Sequence, residues 1–184
     1  MMLTLKEQRE RVETPYLTTP GGIARMGAKL RETRARYLEI CRSNEEAAGA
    51  GDSSVWHDNF AYEENQRLMY QNARRIAEVE QSLQRLRVVA LGGAGPEAAT
   101  VGVVVRFLYD DEEEESQYFL AGWDDGDPAQ RRISYNSPLG QALVGRGLDD
   151  GFELRSKGGK RAGVVVGLRW VTEQEDALGC LLGE

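Results

Sequence analysis

Histidine and cysteine are nearly missing: His57 is the single histidine, and Cys41 and Cys180 are the two cysteines, in a chain of 184 residues. With one histidine no Ser–His–Asp set can be justified. No glycine motif that cradles phosphate occurs either, so a self-contained hydrolase is a poor reading. Neither cysteine lies in a ligand-like cluster, which argues against a zinc site and fits a reducing compartment; a Cys41–Cys180 disulfide is the weaker alternative. No stretch approaches the roughly 20 consecutive apolar residues that cross a bilayer. The opening MMLTLKEQRERVETPY becomes charged too quickly to hold a secretory apolar segment. The expectation is a cytoplasmic protein with no membrane partner.

Positive charge is also locally absent. Between Arg42 and Arg67 there is no lysine or arginine, while Glu45, Glu46, Asp52, Asp58, Glu63 and Glu64 fall in that interval. The net charge of −7 is unevenly spread. Residues 1–90 carry 14 basic and 13 acidic side chains, and residues 91–184 carry 9 and 17. Generic nucleic-acid binding needs a basic surface facing phosphate, which this balance opposes, although a local patch on the helices remains open.

What is present falls into two parts, 1–90 and 91–184. In the first, Thr18 or Thr19 can cap a helix with Pro20 at its first position. Ile23, Met26, Leu30, Thr33, Tyr37 and Ile40 then recur at spacings of three and four, a narrow seam. Arg25, Lys29, Arg31, Arg34 and Arg36 fall mainly off it and are expected to face water. The helix runs toward Ala47 and Ala48 and frays at Gly49 and Gly51. A second begins near Asp58 or Asn59 and repeats the seam at Tyr62, Asn65, Met69, Asn72, Ile76, Val79, Leu83 and Leu86. Seam asparagines commonly fix register. Two such helices make an antiparallel coiled-coil hairpin with arms on the order of 40 Å long. A bundle formed by dimerisation is the alternative; the single seam and charged outer faces favour an isolated, monomeric hairpin.

The second part reads as an antiparallel sheet with one short helix, giving an α+β chain overall. VGVVVRFLY is a buried strand, DDEEEES a solvated loop and QYFLAGW a second strand. In ISYNSPLGQALVG, Ser137 caps and Pro138 begins a short helix. GFELR and RAGVVVGLRWV complete the strands. The tail TEQEDALGCLLGE either adds a short helix or stays loose.

The acidic break AAGAGDSSVWHD at the hairpin tip is the segment with chemistry. Asp52 and Asp58 are oxygen donors suited to magnesium, too few for a tight site of their own but able to complete one half built by a partner. Such a delivered carboxylate would serve two-metal phosphoryl chemistry. Glu46 and His57 can tune their geometry or field, and Val55 and Trp56 form an apolar pair able to wedge against a partner. The plain alternative is a solvated loop of ordinary acids. Arg31, Arg34, Arg67 and Arg74 lie off the seams, where they could guide RNA electrostatically.

ISYNSPLGQALVG, Gly151 and the SKGGKR turn resemble the C-terminal domain of bacterial Gre-family transcript-cleavage factors. The likeness extends through Tyr16-Leu17-Thr18, Gly51-Asp52, Asp58-Asn59 and Tyr62. That resemblance implies a coiled-coil hairpin joined to a domain like the FK506-binding proteins. It implies bacterial RNA polymerase as partner, with nascent or backtracked RNA within reach. It also implies no tightly bound cofactor, but a magnesium ion shared with the polymerase through Asp52 and Asp58 when the two are assembled. Docking falls to the region of Ser134, Asn136, Ser137, Pro138 and Leu139. The chain is then an accessory factor rather than an enzyme. Its tip departs from the family pattern: the two acids are six residues apart instead of three, and the second is aspartate instead of glutamate. Two further readings follow: a channel-occupying inhibitor that does not stimulate cleavage and, from the fold alone, a proline isomerase, which fold does not by itself transfer.

Overall fold

The computed structural model describes residues 16–49, 60–156 and 159–181. Asp52, Val55, Trp56, His57 and Asp58 lie outside the described residues, as does the side chain of Glu46. The chain divides into two compact units, one of them Met26–Gln84 and the other made of the residues on either side of it.

In the first unit, helix α1 (Pro20–Gly49) and helix α2 (Phe60–Arg85) carry the two seams. Met26 and Val79 are buried; Leu30, Thr33, Tyr37 and Ile40 on α1, and Tyr62 through Leu83 of the seam on α2, are half-buried. Burial is therefore deepest at the base of the hairpin, where apolar side chains hold the seam. Toward the tip the seam turns polar. Asn65 Nδ2 donates across it to Ser43 Oγ at 3.3 Å, whereas Asn72 bonds the Leu68 carbonyl of its own helix at 2.8 Å. Only the first of the two asparagines ties the helices in register. Outside the seam, Arg34 meets Glu80 at 2.5 Å, Arg67 meets Glu64 at 2.5 Å and Arg74 meets Glu78 at 2.9 Å. Three of the four arginines expected to guide RNA are thus already paired with carboxylates.

The second unit begins with strand β1 (Tyr16–Thr18), which pairs in parallel with β2 (Leu86–Val88). Parallel strands need a long crossover, and here α1 and α2 supply it. Residues 16–25 and 85–90 accordingly belong with the sheet domain, so the division differs from a boundary at residue 90. The main sheet comprises β3 (Val103–Tyr109), β4 (Ser116–Ala121), β5 (Arg132–Ser134), β6 (Gly151–Ser156) and β7 (Gly159–Trp170). Its order is β5-β4-β3-β7-β6. The sheet is mixed rather than wholly antiparallel, because β5 runs parallel to β4. The ten residues between Ala121 and Arg132, including a 3₁₀ turn at Pro128–Gln130, bring the chain back to start β5 in the same direction.

β3 is central; one face is buried along its whole length, while on the other Val104 is buried and Arg106 is exposed. Val103, Val105, Phe107 and Tyr109 join Leu120, Ile133, Leu143, Phe152 and Val165 on one side. Val104 joins Phe119, Ala121 and Val171 on the other. The DDEEEE loop is a solvated rim as expected, with Arg161 held 2.8 Å from Asp111 and 2.7 Å from Glu112. Helix α3 (Pro138–Leu143) starts as the sequence indicates: Ser137 Oγ accepts the Gly140 N–H at 3.1 Å, and Pro138 takes the first turn. The tail forms a further helix, α4 (Glu173–Leu178), closed by a capping box between Thr172 and Glu175. Both cysteines are free. No helix among the described residues is long and apolar enough to cross a membrane.

Candidate functional site

Two places in the second unit combine polar chemistry with fixed geometry: a cleft beside α3, and the root of the hairpin. The cleft encloses about 510 Å³, and Ser134, Asn136, Ser137, Pro138 and Leu139 all line it, with Tyr118, Ile133 and Leu154. Gly140 lets α3 sit on the end of β5, where a Cβ would stand 2.1 Å from the Ser134 carbonyl oxygen. Leu143 drives the far end of the helix into the core. Ser134 Oγ donates to the Gly122 carbonyl at 2.6 Å and lies in hydrogen-bond contact with Asn136 Oδ1. Asn136 Oδ1 also accepts the Asp124 N–H at 3.4 Å. Pro138 is exposed and Asn136, Ser137 and Leu139 are half-buried, so the rim can be touched from outside. The cleft offers apolar walls and a few fixed polar atoms, the usual make-up of a recognition site.

At the root, three aromatic and cationic side chains stack. The Tyr16 ring lies 3.7 Å from that of Trp123 with planes 1° apart, and the Arg85 guanidinium sits 3.9 Å from the Tyr16 ring centre. Arg85 also donates to Tyr16 Oη at 2.6 Å. Alongside, Arg25 grips Asp125 with two donors, Nε to Oδ1 at 2.9 Å and Nη2 to Oδ2 at 2.6 Å. Arg132 Nε donates to the Asp125 carbonyl at 2.7 Å and lies 3.5 Å from its Oδ1. Burial alone would lower the Arg25 pKa; its hydrogen bond to Asp125 and the charges of Asp125 and Asp176 raise it above the ordinary value. Arg25 was expected to face water as an off-seam residue, and instead is half-buried in this network. The reason is that it belongs to the first turns of α1, which pack on the sheet domain. Its partners stand 100 and 151 positions away, so no local spacing announces them.

Just beyond, Arg169 forks onto Glu175 at 2.8 and 2.7 Å. That hydrogen bond, opposed by burial and helped by the Thr172 N–H and hydroxyl, lowers the Glu175 pKa to about 2. A depressed carboxylate pKa stabilises the fold above the ordinary carboxylate range, and the gain is lost as pH falls toward the folded-state value. Glu175→Gln is therefore expected to lower the unfolding free energy at pH 6 by at most about 3 kcal/mol. The difference should shrink below pH 4.5 and vanish only below about pH 2, which denaturation curves across pH can check.

Of the residues selected from sequence, the docking set, nearly consecutive in the chain, lines the cleft, while the tip set lies outside the described residues, Glu46 by its side chain alone. Among the described residues no group of three or more His, Cys, Asp or Glu could hold a metal ion.

A model of the family described as "Transcription elongation factor, GreA/GreB, C-term" matches residues 95–168. Transcription elongation factor GreA of Brucella anthropi is 31% identical over 154 residues, covering 83% of this chain and 96% of that protein. The chain belongs to the Gre family of transcription elongation factors. GreA of Sinorhizobium medicae is likewise 31% identical, over 156 residues, covering 83% of this chain and 95% of its own. Among solved structures, the GreA factor homolog 1 of Thermus thermophilus is 25% identical, covers 84% of this chain and 99% of its own, and has a TM-score of 0.39. A GreA/GreB factor of Nitrosomonas europaea is 28% identical over 52% of this chain and 79% of its own, with a TM-score of 0.37. As a Gre factor the chain is an accessory elongation factor rather than an enzyme. The matched residues 95–168 contain the whole cleft lining, and the hairpin root reaches beyond them on both sides.

Proposed function

We propose that this Gre factor binds bacterial RNA polymerase through the cleft beside α3, enters the secondary channel with its hairpin, and stimulates cleavage of backtracked RNA by presenting Asp52 and Asp58. The observation that carries the reading is family membership, a GreA relative 31% identical across 83% of the chain; Ser134, Asn136, Ser137, Pro138 and Leu139, which line one accessible cleft, are the proposed docking surface. Two aspartates are the hard oxygen donors that magnesium prefers, and too few to hold it alone, so the remaining ligands would come from the polymerase. A magnesium ion held there would supply activation of water and stabilisation of developing charge. The part of this chain is positional: Asp52 and Asp58 offer carboxylates, Glu46 and His57 adjust the field around them, and Val55 with Trp56 wedge the loop.

A second reading has an observation of its own. Five residues, Ser53 to His57, separate the two acids, and a change of loop length easily exceeds the roughly 0.5 Å tolerance of a precise site. A channel occupant with misplaced carboxylates would slow the polymerase without helping it cut. Stalled, backtracked complexes of the cognate polymerase separate the two. The first reading expects added factor to shorten the RNA from its 3′ end. Slower nucleotide addition with no shortening supports the second, and no effect with no binding removes both.

A further inference from the structure

The tail beyond the family match ends β7 and then turns back onto the start of α1. Asp176, 2% exposed, is the residue it delivers. One carboxylate oxygen accepts the Gly21 N–H at 2.7 Å, and the other accepts the buried Thr19 hydroxyl at 2.5 Å. The Arg25 guanidinium lies 3.5 Å from the same carboxylate and also donates to the Asp176 main-chain carbonyl. Thr19 in turn accepts the Gly22 N–H at 3.0 Å. The first N–H groups of a helix have no partner within it, and negative charge is favoured there. Here that need is met from a position more than 150 residues along the chain. Gly21 is required for the fit, since a Cβ on it would stand 2.1 Å from the Asp176 carbonyl oxygen.

The grip has a second point. At Gly179, whose φ of 71° ends α4 in the left-handed region, the carbonyl accepts from Arg132 Nη1. Arg132 and Arg25 both reach Asp125, so the tail, the start of α1 and the Asp125 loop share one ionic cluster. By contrast, among the described residues the tail has no strand pairing after Trp170. α4 is six residues long, its Leu178 is 58% exposed, and Leu181 only flanks the second core cluster. Segments held by few apolar contacts open at lower free energy than the sheet they rest on.

We infer that residues 173–179 form an intramolecular strap in which Asp176 is a positioning residue, fixing the first turn of the hairpin helix, and that this strap opens without unfolding the sheet. Residues 173–179 lie outside the segment 95–168 that the family model matches. The strap acts on the helix that carries the tip.

Amide hydrogen exchange on the full-length free chain tests it, comparing wild type with Asp176→Ala, Asp176→Asn and Gly21→Ala. The strap predicts exchange at residues 21–25 roughly tenfold faster in Asp176→Ala and Gly21→Ala, with β3 amides changed less than about twofold. Asp176→Asn keeps the shape and loses the charge, so it should give the same split at a smaller factor; it decides alone should the alanine variant not fold. Unchanged exchange at 21–25, or an equal acceleration at 21–25 and in β3, overturns the inference. Because the free chain is measured, the result is independent of whether the polymerase reading holds.

Discussion

Asp125→Ala is expected to lower the unfolding free energy by about 3–5 kcal/mol, the scale of breaking a buried charge pair from one side. Asp125 is 8% exposed and its carboxylate lies between Arg25 and Arg132. Removing it takes away the two-donor grip on Arg25 and leaves longer carboxylate contacts, Asp176 at 3.5 Å from Arg25 and Asp127 at 3.9 Å from Arg132, for two guanidinium groups that are largely shielded from water. Arg74→Ala is the control. Arg74 and its partner Glu78 are 84% and 47% exposed, where solvent screens the pair, so the loss should be far smaller. Urea denaturation of both variants, with the slope held constant, makes the comparison. Equal losses would show that the cluster at the root is no more than a set of surface pairs.

The second large effect concerns activity. Asp52→Ala and Asp58→Ala should each reduce stimulated RNA cleavage by roughly 10- to 100-fold, the usual cost of losing a group that orients a metal site. Polymerase binding should persist, because the proposed docking residues lie in the cleft beside α3. Ser137→Ala with Pro138→Ala should do the reverse, weakening binding while leaving the maximal rate at saturating factor nearly unchanged. A tip variant that lost binding and cleavage together would assign the tip to docking instead.

Much of this architecture was legible in the order of residues. The three-four spacing of Ile23, Met26, Leu30, Thr33, Tyr37 and Ile40, and its echo from Tyr62 to Leu86, gave both helices and most of their inward faces; Ile23 is instead exposed, and Leu86 belongs to β2. Ser137-Pro138 announced α3, because cap and first-turn chemistry is local. The unbroken apolar run around Val103–Val105 marked a buried strand. The parts that escaped are those decided by distant partners. β1 and β2 are three residues each, too short to show a period, and exist because they pair with each other and dock on the Gly122–Trp123 corner. The parallel return of β5 depends on how the Asp124–Arg131 loop folds. Arg25 looked like any off-seam arginine until Asp125 and Asp176 were placed beside it, and the acid that caps α1 sits in a tail whose helical character the pattern left open. Gly21 and Gly22 looked like a weak first turn; the close approach of Asp176 and Thr18 explains why no side chain fits there.

The most direct measurement of the proposed mechanism is the magnesium dependence of RNA shortening in backtracked complexes, with wild-type factor, Asp58→Asn and no factor. If tip carboxylates supply ligands to the polymerase's ion, wild type lowers the magnesium concentration for half-maximal rate, and Asp58→Asn moves it back toward the factor-free value. Identical magnesium curves for wild type and Asp58→Asn, at equal occupancy of the polymerase, would contradict the account.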